Sequence, residues 1–260
     1  MIKLNGQIIE QNHFPDGTLL IKCDTGNGNC YLEWYYESDA ELFTLYCIVQ
    51  HIRRICYHTS LQLIMPYIPH ARMDRVKTCE DVFTLKYFTE ILNSMNFDNI
   101  EVVDPHSSVS EALINNIYIT SPTDYINQAI EKCNPDILFF PDEGAMKRYS
   151  SMINKEYAFG IKRRDWKTGK IEGLDVAGCI DKIKDSKILI VDDICSRGGT
   201  FYHSAKKLKE LGAKEIYLYI THCENTILEG ELLTSGLIEK IYTTNSIFTK
   251  EHEKIEVFEL

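Results

Sequence analysis

The apolar positions along the chain repeat with two periods, one typical of helices and one typical of buried strands. Apolar residues three or four apart predict amphipathic helices at positions 42–56, 85–95 and 201–211. Short segments rich in apolar residues predict strands at positions 61–65, 99–103, 136–140, 187–191 and 215–221, and within 187–191 the run Ile188–Val191 is continuously apolar. Strands and helices that alternate in this way predict an α/β fold whose parallel sheets are covered by helices on both faces.

The length of the chain allows two domains of ordinary size or one large domain. The chain has 260 residues, and the segment around 118–123 is interpreted as the connection between two sets of strands and helices. We therefore predict domains at 1–118 and 119–260. Thr78 is the predicted cap of the second helix, with Glu80 and Asp81 in its first turn.

Charge and composition exclude several classes of function. A formal net charge of −10 argues against general nucleic-acid binding, which needs a basic face. No apolar run approaches the roughly 18 residues that cross a bilayer. The nine cysteines form no Cys-x-x-Cys pair, which favours reduced thiols in a cytoplasm. We expect a cytoplasmic protein without a nucleic-acid or membrane partner.

The most informative segment is Lys187-Ile-Leu-Ile-Val-Asp-Asp-Ile-Cys-Ser-Arg-Gly-Gly-Thr200, where an apolar strand leads into two carboxylates, two glycines and a helix. Glycines let backbone amides close on phosphate oxygens, and the following helix N-terminus favours an anion. The carboxylates of Asp192 and Asp193 accept hydrogen bonds from a sugar diol but repel phosphate. Two adjacent aspartates before the glycines favour a sugar-phosphate site over a plain turn.

This segment resembles the phosphoribosyl pyrophosphate loop of type I phosphoribosyltransferases and ribose-phosphate pyrophosphokinases, approximately Val-Asp-Asp-x-x-Asp-Thr-Gly-Gly-Thr. Ser196 and Arg197 stand where these families have Asp-Thr, and both side chains donate hydrogen bonds to phosphate. The resemblance implies that one continuous loop binds ribose 5-phosphate. Its expected contacts are Asp192, Asp193, Cys195, Ser196, Arg197, Gly198, Gly199 and Thr200.

Three further segments resemble the nucleotide side of ribose-phosphate pyrophosphokinases. The segment 65–75 is by physics alone either an anion-binding loop or a surface salt-bridge cluster, and it resembles Pro-Tyr-x-x-Tyr-Ala-Arg-Gln-Asp-Arg. In the segment 103–106, His106 is either a packing histidine or a residue that binds a hydrated magnesium ion or triphosphate oxygens, and the segment resembles Asp-Leu-His. The segment 14–18, which also reads as an ordinary turn, resembles a hairpin that reaches a neighbouring subunit's ATP site. The resemblance implies ATP contacts at Phe14, Asp16, Thr18, Arg72, Asp74 and His106.

Two segments carry the expected metal and catalytic residues. Pro141-Asp-Glu-Gly144 reads as a simple turn or, by resemblance, as a pyrophosphate-side loop, so that Asp142 and His106 are expected to meet Mg²⁺. The basic run at 162–164 reads as a solvated loop, whereas in the family Lys-x-Arg on a flexible loop is the catalytic signature. The resemblance therefore implies catalytic roles for Lys162 and Arg164.

As a whole, the resemblance implies two phosphoribosyltransferase-like domains, each with a mainly parallel sheet flanked by helices. The first would bind ATP and the second ribose 5-phosphate, and the expected activity is ribose-phosphate pyrophosphokinase in a homodimer or higher homo-oligomer. A phosphoribosyltransferase and a noncatalytic regulatory relative stay open as alternatives.

Overall fold

A computed structural model describes residues 1–26, 28–56, 59–164 and 171–260, with the backbone alone at 162–164, 171 and 172. The chain forms two compact units, Met1–Ser121 and Pro122–Leu260. The predicted boundary between residues 118 and 119 falls within the strand Ile117–Thr120.

The first unit is built on a six-stranded sheet. Its described strands are β1 (Ile2–Leu4), β2 (Gln7–Ile8), β3 (Asn12–His13), β4 (Leu19–Leu20), β5 (Cys30–Trp34), β6 (Leu61–Ile64), β7 (Asn99–Val103) and β8 (Ile117–Thr120). The sheet order is β2-β1-β5-β6-β7-β8, while β3 and β4 form a separate hairpin. Strands β5 to β8 are parallel, and β1 pairs antiparallel with both β2 and β5.

Helices α1 (Ala40–Ile55), α2 (Thr84–Ser94) and α3 (Ser108–Leu113) belong to the same unit. The apolar stripes of α1 and α2 are buried in one core with the sheet, as their periodicity predicts. The predicted cap at Thr78 is wrong, because α2 begins six residues later at Thr84. Asp81 instead accepts hydrogen bonds from the backbone of Lys77 and Thr78, both at 2.8 Å, and so closes a turn before the helix.

The second unit contains a seven-stranded sheet with the order β11-β10-β9-β12-β13-β14-β15. Its described strands are β9 (Ile137–Phe140), β10 (Tyr157–Arg164), β11 (Ile171–Gly178), β12 (Lys187–Cys195), β13 (Glu215–Cys223), β14 (Lys240–Thr244) and β15 (Ile255–Phe258). Only the β10–β11 pair is antiparallel among these neighbours. Its described helices are α4 (Thr123–Cys133), α5 (Glu143–Tyr149) and α6 (Gly199–Glu210), with 3-10 turns at Ile180–Lys182 and Asn225–Glu229.

Helices cover both faces of this second sheet. Along β12, Ile188 and Ile190 are buried in one core with α6, whereas Leu189 and Val191 are buried in another with α5. Successive strand residues point to opposite faces, which explains the continuous apolar run. The predicted α/β class with mainly parallel sheets flanked by helices is confirmed. Within the described ranges, no helix has the length and apolar content that a bilayer crossing requires.

Candidate active site

The predicted sugar-phosphate loop lies at the carboxyl end of β12, the central strand of the second sheet. The strand continues beyond the predicted end at residue 191 to Cys195, so that Asp192 and Asp193 are strand residues. Gly198 has a φ of 80° and caps α6, which begins at Gly199. The first amides of a helix lack partners within it, so this N-terminus is suited to an anion.

The two side chains of this loop that depart from the family pattern both contact acidic residues that follow β13. The Ser196 hydroxyl donates to Glu224 Oε1 over 3.0 Å. The exposed Arg197 guanidinium lies 3.0 Å from Glu229 Oε2. Cys195 is buried, and its carbonyl accepts the Glu224 amide at 2.8 Å. The loop is therefore held from the side of β13.

The two aspartates of β12 have different surroundings. Asp193 is almost fully buried, and its Oδ2 atom lies 2.7 Å from Nη1 of Arg148 on α5. Burial and the neighbouring charge of Asp193 raise the pKa of Asp192 well above its usual range, and Asp142 adds to that rise. The structure thus brings Asp142, Asp192 and Asp193 together at the ends of β9 and β12, with Arg148 beside them.

Asp142 is the N-cap of α5. Its Oδ1 atom accepts the amides of Gly144 at 3.0 Å and Ala145 at 3.1 Å, which fixes the turn after β9. The segment is therefore the start of a helix and not the simple turn that the sequence also allowed.

In the first unit, the segment after β6 contains a buried acid. Asp74 is held by both sides of the Arg75 guanidinium, with Nε–Oδ1 at 2.7 Å and Nη2–Oδ2 at 3.0 Å. Arg75 lowers the pKa of Asp74, and Ser107 and His106 lower it further. The predicted nucleotide residues Asp74 and His106 therefore lie close together, at the ends of β6 and β7. The salt-bridge interpretation of this segment holds for Asp74 and Arg75, while Arg72 is exposed.

The Phe14 segment forms the tip of the β3–β4 hairpin. The Phe14 amide donates to the Thr18 carbonyl over 2.9 Å, and Gly17 has a φ of 83°. Asp16 Oδ1 accepts both the amide and the hydroxyl of Thr18, at 3.0 and 2.7 Å. Asp16 and Thr18 thus shape the turn, and the Phe14 ring is half exposed.

The proposed catalytic residues lie at the end of the β10–β11 hairpin. Lys162 pairs with Leu174 and Arg164 with Ile171 through the backbone, with a register shift between Arg163 and Arg164. The side chains of Lys162 and Arg164 and the whole of 165–170 lie outside the described part of the structure. Across the described residues, no group of three or more His, Cys, Asp or Glu has an arrangement that could hold a metal ion.

Several residues that shape these sites escaped the sequence analysis. Arg148 and Arg75 each stand in a basic stretch, and neither stretch indicates in the sequence which acid its arginine contacts. Glu224 and Gly230 carried no signal, because the loop they contact lies in a different part of the chain. A methyl group on Gly230 would lie 1.9 Å from the Arg197 carbonyl oxygen, which shows how closely the two segments approach.

Comparison with known proteins gives a consistent assignment. No family model matches the sequence. Ribose-phosphate pyrophosphokinase of Thermoplasma volcanium is 30% identical over 262 residues, covering 92% of this chain and 86% of that protein. The enzyme of the same name from Thermococcus kodakarensis is 28% identical over 251 residues, covering 93% and 86%.

A solved structure agrees at the level of the fold. The crystal structure of phosphoribosylpyrophosphate synthetase from Mycobacterium smegmatis matches with a TM-score of 0.80 and 18% identity, covering 97% of this chain and 86% of that chain. Sequence similarity to these pyrophosphokinases spans 92–93% of the chain. The chain belongs to the ribose-phosphate pyrophosphokinase family.

Proposed function

We propose that this chain transfers the β,γ-diphosphoryl group of ATP to the anomeric hydroxyl of ribose 5-phosphate, giving phosphoribosyl pyrophosphate and AMP. The observation that carries the proposal is the end of β12. There, a partly buried carboxylate precedes a glycine-capped helix N-terminus within one continuous loop. This arrangement suits a molecule with hydroxyls at one end and phosphate at the other.

Within this proposal, ribose 5-phosphate binds along the loop from Asp192 to Thr200. Its phosphate accepts hydrogen bonds from the amides around Gly198, Gly199 and Thr200, where the helix dipole favours an anion. Asp192 accepts hydrogen bonds from the ribose diol. Asp193 is oriented by Arg148, which balances its charge and holds α5 against the end of β12.

ATP binds to the first unit in this proposal. Arg72 supplies a cation from the segment after β6, and His106 approaches the nucleotide from the segment after β7. Asp74 keeps these two segments together through its proximity to Ser107 and His106. Arg75, which lies on the same segment as Asp74, pairs with its carboxylate. The role is one of positioning, because Asp74 itself is buried and ion-paired.

The acidic residues of the second unit fit a divalent cation. Mg²⁺ commonly binds one or two carboxylates and completes its shell with waters and substrate phosphates, so a closed protein cage is not required. Asp142 lies near enough to Asp192 to raise its pKa, and a cation would relieve that repulsion. We assign Asp142 as the carboxylate ligand in this unit and His106 as the residue beside the nucleotide-bound ion. When bound, Mg²⁺ neutralises charge on the phosphates.

Catalysis in this proposal depends on Lys162 and Arg164. Phosphoryl-type transfer depends mainly on positioning and on charge stabilisation, with the attacking and leaving oxygens in line. Two cations near the end of a β-hairpin can approach the transferring group and donate to its oxygens as negative charge shifts toward AMP. No strong general base is needed for this scheme.

The proposal extends to assembly and location. The half-exposed Phe14 at a hairpin tip is the residue that we place in a neighbouring subunit's ATP site, in a homodimer or higher homo-oligomer. All nine cysteines are free, which supports a reducing compartment such as the cytoplasm.

The decisive experiment is product analysis. Purified protein is incubated with ATP, ribose 5-phosphate and Mg²⁺, and AMP is measured against ADP. We expect AMP and phosphoribosyl pyrophosphate in equal amounts. ADP would indicate an ordinary kinase and would overturn the proposal. If neither AMP nor ADP is formed, the result would favour the phosphoribosyltransferase or the noncatalytic alternative.

A further inference from the structure

The segment 224–232, which follows β13, contacts four consecutive residues of the sugar-phosphate loop. The Glu224 amide donates to the Cys195 carbonyl, and the Glu224 carboxylate accepts from the Ser196 hydroxyl. The next two contacts come from the end of the segment. A methyl group on Gly230 would lie 1.9 Å from the Arg197 carbonyl oxygen, and one on Gly198 would lie 2.9 Å from Leu232.

Glu224 is the polar centre of this contact. Its Oε1 atom accepts from Ser196 at 3.0 Å, and its Oε2 atom accepts from Thr226 at 2.9 Å. Both oxygens are therefore directed by hydrogen bonds in a partly buried position. Hydrogen bonds to a charged acceptor are stronger than those between neutral groups, so this bond restricts the loop more than an ordinary serine contact would.

The two departures from the family pattern within the sugar-phosphate loop, Ser196 and Arg197, fall on these contacts. Ser196 stands where the pattern has an aspartate, and a carboxylate from another segment contacts it. Arg197 adds a cation to the loop, and Glu229 lies against it. An aspartate at position 196 would place a second carboxylate beside Glu224, where like charges disfavour each other. Ser196 and Glu224 thus form a matched donor–acceptor pair, in which the serine hydroxyl takes the place of the family's aspartate.

We propose that the segment 224–232 braces the sugar-phosphate loop in its binding shape, and that Glu224 is a positioning residue for the phosphate of the substrate. Glu224 acts through Ser196 and does not touch the substrate. The inference rests on the proposed function only for the identity of the ligand, because the brace itself is a property of the free protein.

The first test uses amide hydrogen exchange of residues 196–200 without any ligand. Glu224→Ala should accelerate exchange in this loop, whereas Glu224→Gln, which keeps an acceptor for Ser196, should exchange more slowly than the alanine variant. Glu231→Gln is the matched control, since it removes an exposed acid from the same segment. Equal exchange in Glu224→Ala and the unmodified protein would overturn the brace, whatever the enzyme catalyses.

The second test measures ribose 5-phosphate affinity by calorimetry and by KM. Glu224→Ala should weaken binding about tenfold, the effect of one charge-assisted hydrogen bond, with the KM for ATP and kcat little changed. Ser196→Asp should also weaken binding, although it restores the family residue. Adding Glu224→Gln to Ser196→Asp should recover affinity, because the amide can donate to the new carboxylate.

The outcomes test the brace and the proposed function separately. If Ser196→Asp alone binds ribose 5-phosphate as well as the unmodified protein, the matched pair is refuted. Gly230→Ala gives an independent check, because the added methyl group must displace the loop backbone and weaken binding. If loop exchange responds as expected but no AMP is formed, the brace stands and the proposed function fails.

Discussion

Replacing Arg148 with methionine should destabilise the second unit by about 3 kcal/mol, because the change removes the cation that is ion-paired with the buried Asp193 carboxylate. The ion pair measures 2.7 Å, and the side chain of Asp193 is only 6% exposed. Breaking a buried pair costs roughly 3–5 kcal/mol. We take the lower end because 24% of the Arg148 side chain reaches solvent. For a unit of this size the melting temperature should fall by about 10 °C, at roughly 3–4 °C per kcal/mol.

The assay is denaturant unfolding followed by circular dichroism, with amide exchange of β12 to locate the effect in the second unit. Lys147→Met is the matched control. Lys147 and Glu143 form an exposed pair at 3.7 Å on the same helix, so this change should alter stability by less than about 0.5 kcal/mol. Combining Arg148→Met with Asp193→Asn removes both charges and should recover most of the loss. A surface ion pair contributes about 0.5 kcal/mol. The reasoning would be refuted if the free energy of unfolding of Arg148→Met differed from that of the unmodified protein by no more than this amount.

Three further predictions follow from the site. The pKa of Asp192 is higher in the folded protein than in the unfolded chain. The stabilisation that Asp192 gives the folded state is therefore complete below its unfolded-state pKa, and it is lost as the pH rises through its folded-state pKa. Asp192→Asn in Mg²⁺-free buffer should therefore raise the melting temperature at pH 7 and flatten its pH dependence, while weakening ribose 5-phosphate binding; a lower melting temperature would contradict this. Lys162→Ala and Arg164→Ala should each lower kcat on the order of 10²-fold with smaller changes in KM, and unchanged kcat in both would exclude the catalytic role. Inactive Phe14→Ala and Lys162→Ala chains should regain activity when mixed under subunit exchange, whereas an active monomer in light scattering would rule out a shared site.

The sequence predicted elements whose signal is local. The strand predicted at 99–103 coincides with β7, because its apolar residues Ile100, Val102 and Val103 are buried against the core, whereas the polar side chains of the strand are only partly buried. The run at 187–191 is only the start of β12. The rest of β12 is polar at Asp192 and Asp193 and is held in the strand by pairing with β13, as far as Cys195 opposite Cys223. Because this pairing involves a distant segment, the local sequence pattern does not predict it.

The β10–β11 hairpin is a second case in which the local sequence does not predict a strand. Lys162 to Arg164 carry no apolar or alternating signal, so this basic run was interpreted as a loop. The backbone pairs with residues 171–174 of β11 and forms a strand. The wrong cap at Thr78 has a related cause, because Asp81 binds backbone amides in a turn as readily as in the first turn of a helix.

The chemistry of the candidate site could be predicted to the extent that its residues are adjacent in the chain. Aspartates, glycines and a helix start within one loop were enough to indicate a sugar phosphate. The partners of those residues are distant in sequence, as Glu224 is 28 residues from Ser196. Judged by the motif alone, the loop has lost a carboxylate; in the folded protein a carboxylate supplied by another segment contacts the same position. A departure inside a binding motif therefore has to be read together with the segment that packs against it, since a compensating charge there can preserve the geometry of the loop.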